Sequence, residues 1–203
     1  MKKNLRNPLS VLGICFLILI AVIVVANVMY KPPPAVQINE NALTAKQLSV
    51  LCDEYVREYG VNQDLYLSNI VMLIDNNHKG EVTMTYTYEK KGRYYRYFVE
   101  VSTDEHIIKS IYEIDKSVVA GIDFMDFAEW NIDSDEAVRI ALNALRDRGY
   151  EIDDSKIRID VVRSNSGDSW DIAFYANNNK KLYGRSPTVL VDAQTGEASS
   201  YFW

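Results

Sequence analysis

The sequence predicts an α+β protein in which an N-terminal transmembrane helix precedes two units, each with one helix packed on a three- to four-stranded antiparallel sheet. Three features predict this class: a charge-free N-terminal segment, two segments with helical spacing of apolar residues, and alternating strand-like segments after each of them. The 203 residues are 48% hydrophobic and 25% charged, which is ordinary for a folded chain. This composition excludes disordered, collagen-like and disulfide-knot proteins.

The charge of the chain is unevenly distributed. Its net charge is −6, yet three of the 22 basic residues, Lys2, Lys3 and Arg6, lie in the first 30 residues, which contain no acidic residue. The rest of the chain therefore has 19 basic against 28 acidic residues. Nucleic acids are bound mainly through basic side chains that neutralise phosphates, so we expect no nucleic-acid partner. A protein or a basic surface is the expected partner.

The segment Pro8–Tyr30 contains 23 residues without a charge and predicts a membrane-spanning signal anchor. At about 1.5 Å per residue, a helix of this length reaches roughly 34 Å, enough to cross a bilayer. Basic residues precede it and an acidic body follows, which places the N-terminus in the cytoplasm and the body outside the cell membrane. Cleavage after Ala26 is the alternative, but apolar residues continue beyond it. A lipoprotein is less favoured, because Cys15 follows Ile14 rather than a small residue.

Residues 31–42 form a predicted proline-rich spacer, in which Lys31 precedes three prolines that favour an extended chain. Cys15 lies within the predicted span and Cys52 lies beyond it, so the two thiols cannot pair. An exported chain without an internal disulfide is typical of hosts that seldom use disulfides, such as Gram-positive bacteria.

The first predicted helix has clear signals at both ends. Thr44 and Gln47 form the pattern of a capping box, and Leu43 and Leu48 form that of a hydrophobic staple. Apolar residues then recur at helical spacing until Gly60 ends the helix. We therefore expect an amphipathic helix at the start of the first unit.

A second predicted helix repeats the first. It begins at Asp133 and ends at Gly149, and both positions lie 89 residues after the corresponding ends of the first helix. The strand-like segments that follow also correspond, with Val82–Tyr86 opposite Asp171–Tyr175 at the same offset of 89. This period is too long for a solenoid, so we interpret the chain as two tandem copies of one unit.

Strands are predicted where apolar and polar residues alternate, the pattern of an antiparallel sheet with one buried face. The apolar residues of the clearest hairpin are Val82, Met84, Tyr86, Tyr88, Tyr95, Tyr97, Val99 and Val101. The predicted organisation is a cytoplasmic tip (1–7), the signal anchor (8–30), the spacer (31–42), the first unit (43–113), a connector (114–131) and the second unit (132–203). Apolar connector residues, including Phe127 and Trp130, are expected to pack between the units.

The second unit resembles a PepSY domain. The resemblance rests on three segments, IDSDEAVRIALNAL, SWDIAFY and VLVDAQTGEA, at residues 132–145, 169–175 and 189–198. In the last segment Asp192, Thr195 and Gly196 suit a tight hairpin with a left-handed glycine, which gives this motif a structural role. The first unit departs from the pattern, since residues 101–106 replace the aspartate at the strand end and contain no glycine. Only its layout supports a second, diverged copy.

The resemblance implies a regulatory function. PepSY domains are non-catalytic modules of protease propeptides and of exported bacterial proteins, where they are proposed to inhibit or control a partner enzyme. It therefore implies a membrane-anchored, non-catalytic module that binds and modulates an exported protease or an enzyme of cell-wall synthesis or hydrolysis. A short tail, one span and tandem units also make the chain similar to the cell-wall elongation regulators of Gram-positive bacteria.

Residues that could perform chemistry are few. His78 and His106 lie in predicted turns, and with Cys52 they form none of the short spacings of zinc sites. Cys52 falls on the apolar stripe of its helix, where a buried and unreactive thiol is expected. The acidic run Asp133–Glu136 fits helix capping better than a calcium loop, which requires a glycine. Serine-nucleophile and phosphate-binding motifs are missing, so we expect no enzyme activity, metal or cofactor.

Tyrosine is the most distinctive residue type, with 14 in the chain, several of them in one predicted hairpin. Most are expected to pack across strands. Tyr94, with Arg93 and Arg96 beside it, is instead placed on the polar face, and Tyr with Arg is the usual composition of an interface hot spot. Tyr201 and Trp203 form a second candidate surface for a partner. Binding of a cell-wall glycan or a small ligand by the Tyr-rich hairpin is the alternative function.

Overall fold

A computed structural model describes ten ranges of the chain: residues 16, 18–20, 33–38, 43–59, 64–118, 125, 127–152, 156–164, 167–174 and 187–202. The chain divides into two compact units, Met1–Pro33 and Pro34–Trp203.

The described residues of Met1–Pro33 contradict the predicted signal anchor. Of Pro8–Tyr30, the structure describes Phe16 and residues 18–20, which are helical and exposed. Across the described residues, no helix is both long and apolar enough to cross a membrane. The transmembrane helix, and the single-pass cell-membrane localisation that depended on it, are therefore wrong. Residues 1–7 and Ala26 lie outside the described ranges.

The compact unit Pro34–Trp203 contains nine strands and two α-helices among its described residues. In chain order they are β1 Val36–Gln37, α1 Ala45–Tyr59, β2 Tyr66–Ile74, β3 Gly80–Lys90, β4 Arg93–Ser102, β5 Ile107–Val118, α2 Ser134–Asp147, β6 Ile157–Ser164, β7 Gly167–Phe174, β8 Pro187–Asp192 and β9 Ala198–Phe202. A short 3-10 helix, Phe127–Glu129, precedes α2. The strands form one sheet in the order β1-β5-β4-β3-β2-β6-β7-β8-β9, and every neighbouring pair is antiparallel.

This sheet corrects the predicted fold class. Two separate units, each with its own small sheet, are not present, because β2 and β6 join all nine strands by pairing Val71–Ile74 with Ile157–Asp160. Alternation in the sequence shows which face of a strand is buried, but it does not show which strands pair. An unpaired edge on β2 would expose backbone N–H and C=O groups, and pairing with β6 satisfies them.

The predicted capping box at the start of α1 is confirmed. The Thr44 N–H donates to Gln47 Oε1 at 2.9 Å, and the Gln47 N–H donates to Thr44 Oγ1 at 3.3 Å. These bonds satisfy N–H groups that the first turn of a helix leaves without a partner.

The first turns of α1 and α2 meet each other. The Ser134 Oγ accepts a hydrogen bond from the Ala45 N–H at 2.9 Å, and both residues are fully buried. Asp133, the N-cap of α2, accepts from the Ser134 N–H at 2.7 Å and from the Lys46 N–H at 3.3 Å. The capping role predicted for the acidic run is therefore confirmed at Asp133, which serves the starts of both helices.

Both helices cover the same face of the sheet, and the correspondence between them is preserved. Four residues of α1 and four of α2 are buried at positions 89 apart: Ala45, Leu48, Cys52 and Val56, and Ser134, Ala137, Ala141 and Leu145. Beneath them lie fully buried strand residues that include Ile70, Met72, Met84, Val99, Ile159, Trp170, Ile172 and Val189. These residues belong to one continuous core.

The predicted alignment of β3 with β7 is wrong by one residue. An offset of 89 places Val82, which is buried, opposite Asp171, which is half-buried on the other face. Buried Val82 corresponds instead to buried Trp170, 88 residues later, because the turns that precede the two strands differ in length. A shift of one residue moves every side chain of a strand to the opposite face.

The connector contributes to the core as predicted. Phe127 and Trp130 are buried and contact Trp170, with ring centroids 5.8 Å and 4.9 Å from that indole. The Trp130 Nε1–H donates to Asp168 at 3.1 Å, and the Trp170 Nε1–H donates to a backbone carbonyl at 3.0 Å. The first part of the predicted connector is strand, however, since β5 continues to Val118.

Candidate partner-binding surface

The face of the sheet opposite α1 and α2 is called the open face. No α-helix of the described ranges covers it, although both helices lie against the other face. Its exposed apolar side chains include Leu73, 49% exposed, and Tyr112, 43% exposed. Polar side chains share this face, and three of its hydroxyl residues, Thr85, Thr87 and Thr188, are buried.

A cluster near the centre of β4 and β5 combines ring stacking with hydrogen bonds on the open face. Phe98 lies directly opposite Tyr112, and Glu100 lies directly opposite Ser110. The rings of Phe98 and Tyr112 stack at 5.7 Å with an interplanar angle of 16°. The Ser110 hydroxyl donates to Glu100 Oε2 at 3.0 Å, and the Tyr112 hydroxyl donates to Glu100 Oε1 at 3.1 Å. These four residues are called the Glu100 patch.

The patch is held in place by its two strands. Directly opposite side chains in antiparallel strands lie close enough to contact each other, so the pairing of β4 with β5 sets both contacts. Partial burial and the hydrogen bond to Glu100 raise the pKa of Tyr112 above its ordinary value, so this hydroxyl remains a proton donor at neutral pH. The Glu100 side chain is half-buried, and two hydroxyl donors orient its carboxylate.

Two of the predicted interface residues share this face. Tyr94 and Arg96 are half-buried and lie on the same face of β4 as Phe98 and Glu100, at every second position. Arg93 is exposed at the start of that strand. A hydrogen-bonding irregularity between Tyr94 and Arg96 interrupts their pairing with β5. The structure therefore places the predicted Arg and Tyr residues beside the Glu100 patch rather than at its centre.

Tyr201, one of the two C-terminal candidates, is far from this patch along the sheet. Tyr201 pairs with Thr188 between β8 and β9, at the end of the sheet opposite to β5. The side chain of Tyr201 and the whole of Trp203 lie outside the described part of the chain. The backbone position of Tyr201 is therefore separate from the Glu100 patch.

The other tyrosines of the hairpin pack among themselves, as predicted. Tyr88 stacks on Tyr95 at 5.2 Å and on Tyr97 at 5.5 Å, on the face that carries the helices. The Tyr88 hydroxyl donates to Glu113 at 2.5 Å. With Tyr97 only 8% exposed, these rings offer little area to a ligand.

The motif at Asp192 is a turn that holds the β8–β9 hairpin. The Asp192 carboxylate accepts from the N–H groups of Gln194 and Thr195 at 2.9 Å and 2.7 Å and from the Thr195 hydroxyl at 3.0 Å. Gly196 adopts φ +73°, in the left-handed region that glycine occupies most easily. A Cβ at this position would lie 3.2 Å from Ile140 Cδ1, so the glycine also permits close packing against α2.

The β4–β5 turn has the same form with different residues. Ser102, Glu105 and His106 lie 90 positions before Asp192, Thr195 and Gly196. The Ser102 hydroxyl accepts from the Glu105 N–H at 3.3 Å, and His106 adopts φ +53° without being a glycine. The sequence motif is absent here, yet its geometry is retained.

The residues expected to be chemically inert have structural contacts. Cys52 is fully buried, and this burial raises the pKa of its thiol far above the ordinary value, with a further contribution from Asp53. His78 Nδ1 lies 3.4 Å from Asp135 Oδ1, which links the β2–β3 turn to α2. In the described residues, no three His, Cys, Asp or Glu side chains are arranged to hold a metal ion.

The sequence alone does not predict the Glu100 patch. Alternation identifies Phe98 and Glu100 only as outward residues of β4, and it assigns residues 107–113 to no strand. Ser110 and Tyr112, which lie two positions apart, are the available sign of a strand. Just before them, however, Lys109 is an extra residue in the pairing with β4, because β5 shifts its register by one between Ile108 and Ser110.

Comparison with known proteins identifies no family: no family model matches the chain, and no curated protein matches it. Among solved structures, the dehydratase domain from the CurK module of the curacin polyketide synthase aligns over 82% of this chain and 82% of that chain, at 11% identity and a TM-score of 0.19. A TM-score this low carries no argument about fold or function.

Proposed function

We propose that this chain is a non-catalytic module that binds an enzyme through the open face of its sheet and modulates the activity of that enzyme. The resemblance of residues 132–198 to a PepSY domain points to a protease or a cell-wall enzyme as the partner. The observation that carries the proposal is the Glu100 patch, where an exposed aromatic ring and an oriented carboxylate lie together on a sheet face that the described helices leave open.

The composition of the patch supports a protein partner. Interface hot spots are enriched in Trp, Tyr and Arg, and a side chain already held in one conformation loses little entropy on binding. Tyr112 is fixed by its stacking on Phe98 and by its hydrogen bond to Glu100, so it satisfies this condition.

Binding of a glycan is the second candidate, and the same ring favours it. An exposed tyrosine beside a carboxylate and a hydroxyl can stack on a sugar ring and accept hydrogen bonds from its hydroxyl groups. The Tyr-rich hairpin is less suitable for this role, because Tyr88 stacks on both Tyr95 and Tyr97.

Site-specific photocrosslinking of the full chain in its own cells tests the proposal. A benzophenone amino acid replaces Leu73, which is 49% exposed on the open face outside the Glu100 patch, or Val50, 59% exposed on α1, as the matched control. We expect the probe at position 73, and not the probe at position 50, to capture an enzyme whose activity changes when the purified chain is added. Capture of the same proteins at both positions, or of glycan alone at position 73, would contradict the proposal.

A further inference from the structure

Glu100 differs from its acidic neighbours on the open face in having no basic partner within the described residues. Glu81 forms an ion pair with Lys109 at 2.9 Å, and Asp160 lies 3.0 Å from the guanidinium of Arg158. The contacts of Glu100 are instead two neutral hydroxyl groups, those of Ser110 and Tyr112. The Glu100 carboxylate is therefore held by two hydrogen bonds, but no basic side chain of the described residues neutralises its charge.

The Tyr112 ring beside Glu100 can attract the same kind of ligand as the carboxylate, a cation. Tyr112 is 43% exposed and stacks with one side on Phe98, so its remaining surface faces outward next to the carboxylate. A cation is attracted both to a carboxylate and to the face of an aromatic ring. A guanidinium group can satisfy both, because it is planar, stacks on aromatic rings and donates two parallel hydrogen bonds to a carboxylate.

We infer that the Glu100 patch binds an arginine side chain of the protein partner. This inference rests on the proposed function and specifies the chemical group that the open face recognises. The Glu100 carboxylate accepts from the guanidinium, while the hydroxyl groups of Ser110 and Tyr112 keep the carboxylate in place and the Tyr112 ring packs on the guanidinium plane.

A peptide selection tests the inference even though the partner is unidentified. Random peptides displayed on phage are selected on the immobilised full chain, and those displaced by free wild-type chain are synthesised. We expect an arginine at one position of the selected peptides. Its replacement by citrulline, which has the same shape without the charge, should weaken binding to the wild-type chain about 10- to 100-fold.

A double-mutant cycle assigns that effect to Glu100. Binding of both peptides is measured for Glu100→Gln and for Glu81→Gln, the matched control whose carboxylate already pairs with Lys109. The arginine peptide should lose its advantage over the citrulline peptide with Glu100→Gln and keep it with Glu81→Gln, while thermal unfolding shows that both variants are folded.

Three outcomes would overturn the inference: selected peptides without a basic residue, an undiminished arginine advantage with Glu100→Gln, or no selected peptide at all. Selection of lysine in place of arginine would also overturn the preference for a guanidinium. These results are distinguishable from failure of the proposed function. An enzyme captured at position 73, without coupling between Glu100 and arginine, would remove the inference and leave the proposed function standing.

Discussion

Replacement of Ser134 by alanine should destabilise the compact unit Pro34–Trp203, because this side chain joins α1 to α2. The Ser134 Oγ accepts from the Ala45 N–H at 2.9 Å, and both residues are 0% exposed, so water cannot replace the lost acceptor. A buried donor left without a partner costs about 1–3 kcal/mol. Alanine regains up to about 0.5 kcal/mol through its higher helix propensity. We therefore expect Ser134→Ala to lower the free energy of unfolding by about 1–2 kcal/mol.

Urea unfolding followed by tryptophan fluorescence measures this change, since Trp130 and Trp170 lie in the core close to the start of α2. With a typical denaturant dependence of about 2 kcal/mol per molar urea, the midpoint should fall by roughly 0.5–1 M. Ser199→Ala, at an exposed position of β9, is the matched control and should change the free energy of unfolding by less than about 0.5 kcal/mol. Equal midpoints for Ser134→Ala and the wild type would refute the role assigned to this contact.

Three further predictions concern the turns and the buried thiol. His106→Gly should raise the free energy of unfolding by about 0.5–1 kcal/mol, because it relieves a left-handed conformation, whereas Gly196→Ala should lower it; urea unfolding of both variants checks the pair. Hydrogen bonds from the Thr195 and Gln194 N–H groups hold the pKa of Asp192 below its usual value, so its contribution is present above the unfolded-state pKa near 4 and is lost as the pH falls through the lower folded-state pKa. The stability gap between the wild type and Asp192→Asn should therefore close at acidic pH, and a constant gap would contradict this. In a Cys15→Ser variant, Cys52 should react with a thiol reagent only after unfolding, and rapid labelling of that folded variant would show that Cys52 is not buried.

The local elements of the fold could be predicted because their signals are local. The Thr44–Gln47 capping box and the buried stripe of α2 depend on residues three or four positions apart, and both are present in the structure. The pairing of β2 with β6 could not be predicted in this way. It depends on which edges meet in space, and Val71 and Asp160, which lie directly opposite each other, are 89 positions apart in the chain.

Turn length explains the error in β3 and β7. The alternation of Val82 and Met84 with polar residues is clear in the sequence, but the comparison with β7 assumes a constant offset from the helices. A difference of one residue between the two preceding turns is enough to place Asp171 opposite Val82. Such a difference is invisible in alternation alone, because each strand keeps a correct internal pattern.

The candidate surface could be predicted only in part. The alternation of β4 correctly places Tyr94 and Arg96 on the face opposite Tyr95 and Tyr97. The Glu100 patch depends on the identity of the partner strand, since two of its four residues come from β5. A single carboxylate in a strand forms no recognisable sequence motif. Glu100 becomes a candidate binding residue only because Ser110 and Tyr112 of β5 donate hydrogen bonds to it.

The affinity of the captured enzyme for the full chain and for its Tyr112→Ala variant tests the central claim most directly. A hot-spot side chain contributes about 2 kcal/mol or more, so calorimetric titration should show binding at least about 10-fold weaker for Tyr112→Ala than for the wild type. Val50→Ala, on the exposed side of α1, should bind like the wild type. Unchanged binding by Tyr112→Ala together with weakened binding by Val50→Ala would contradict the claim that the open face is the binding surface.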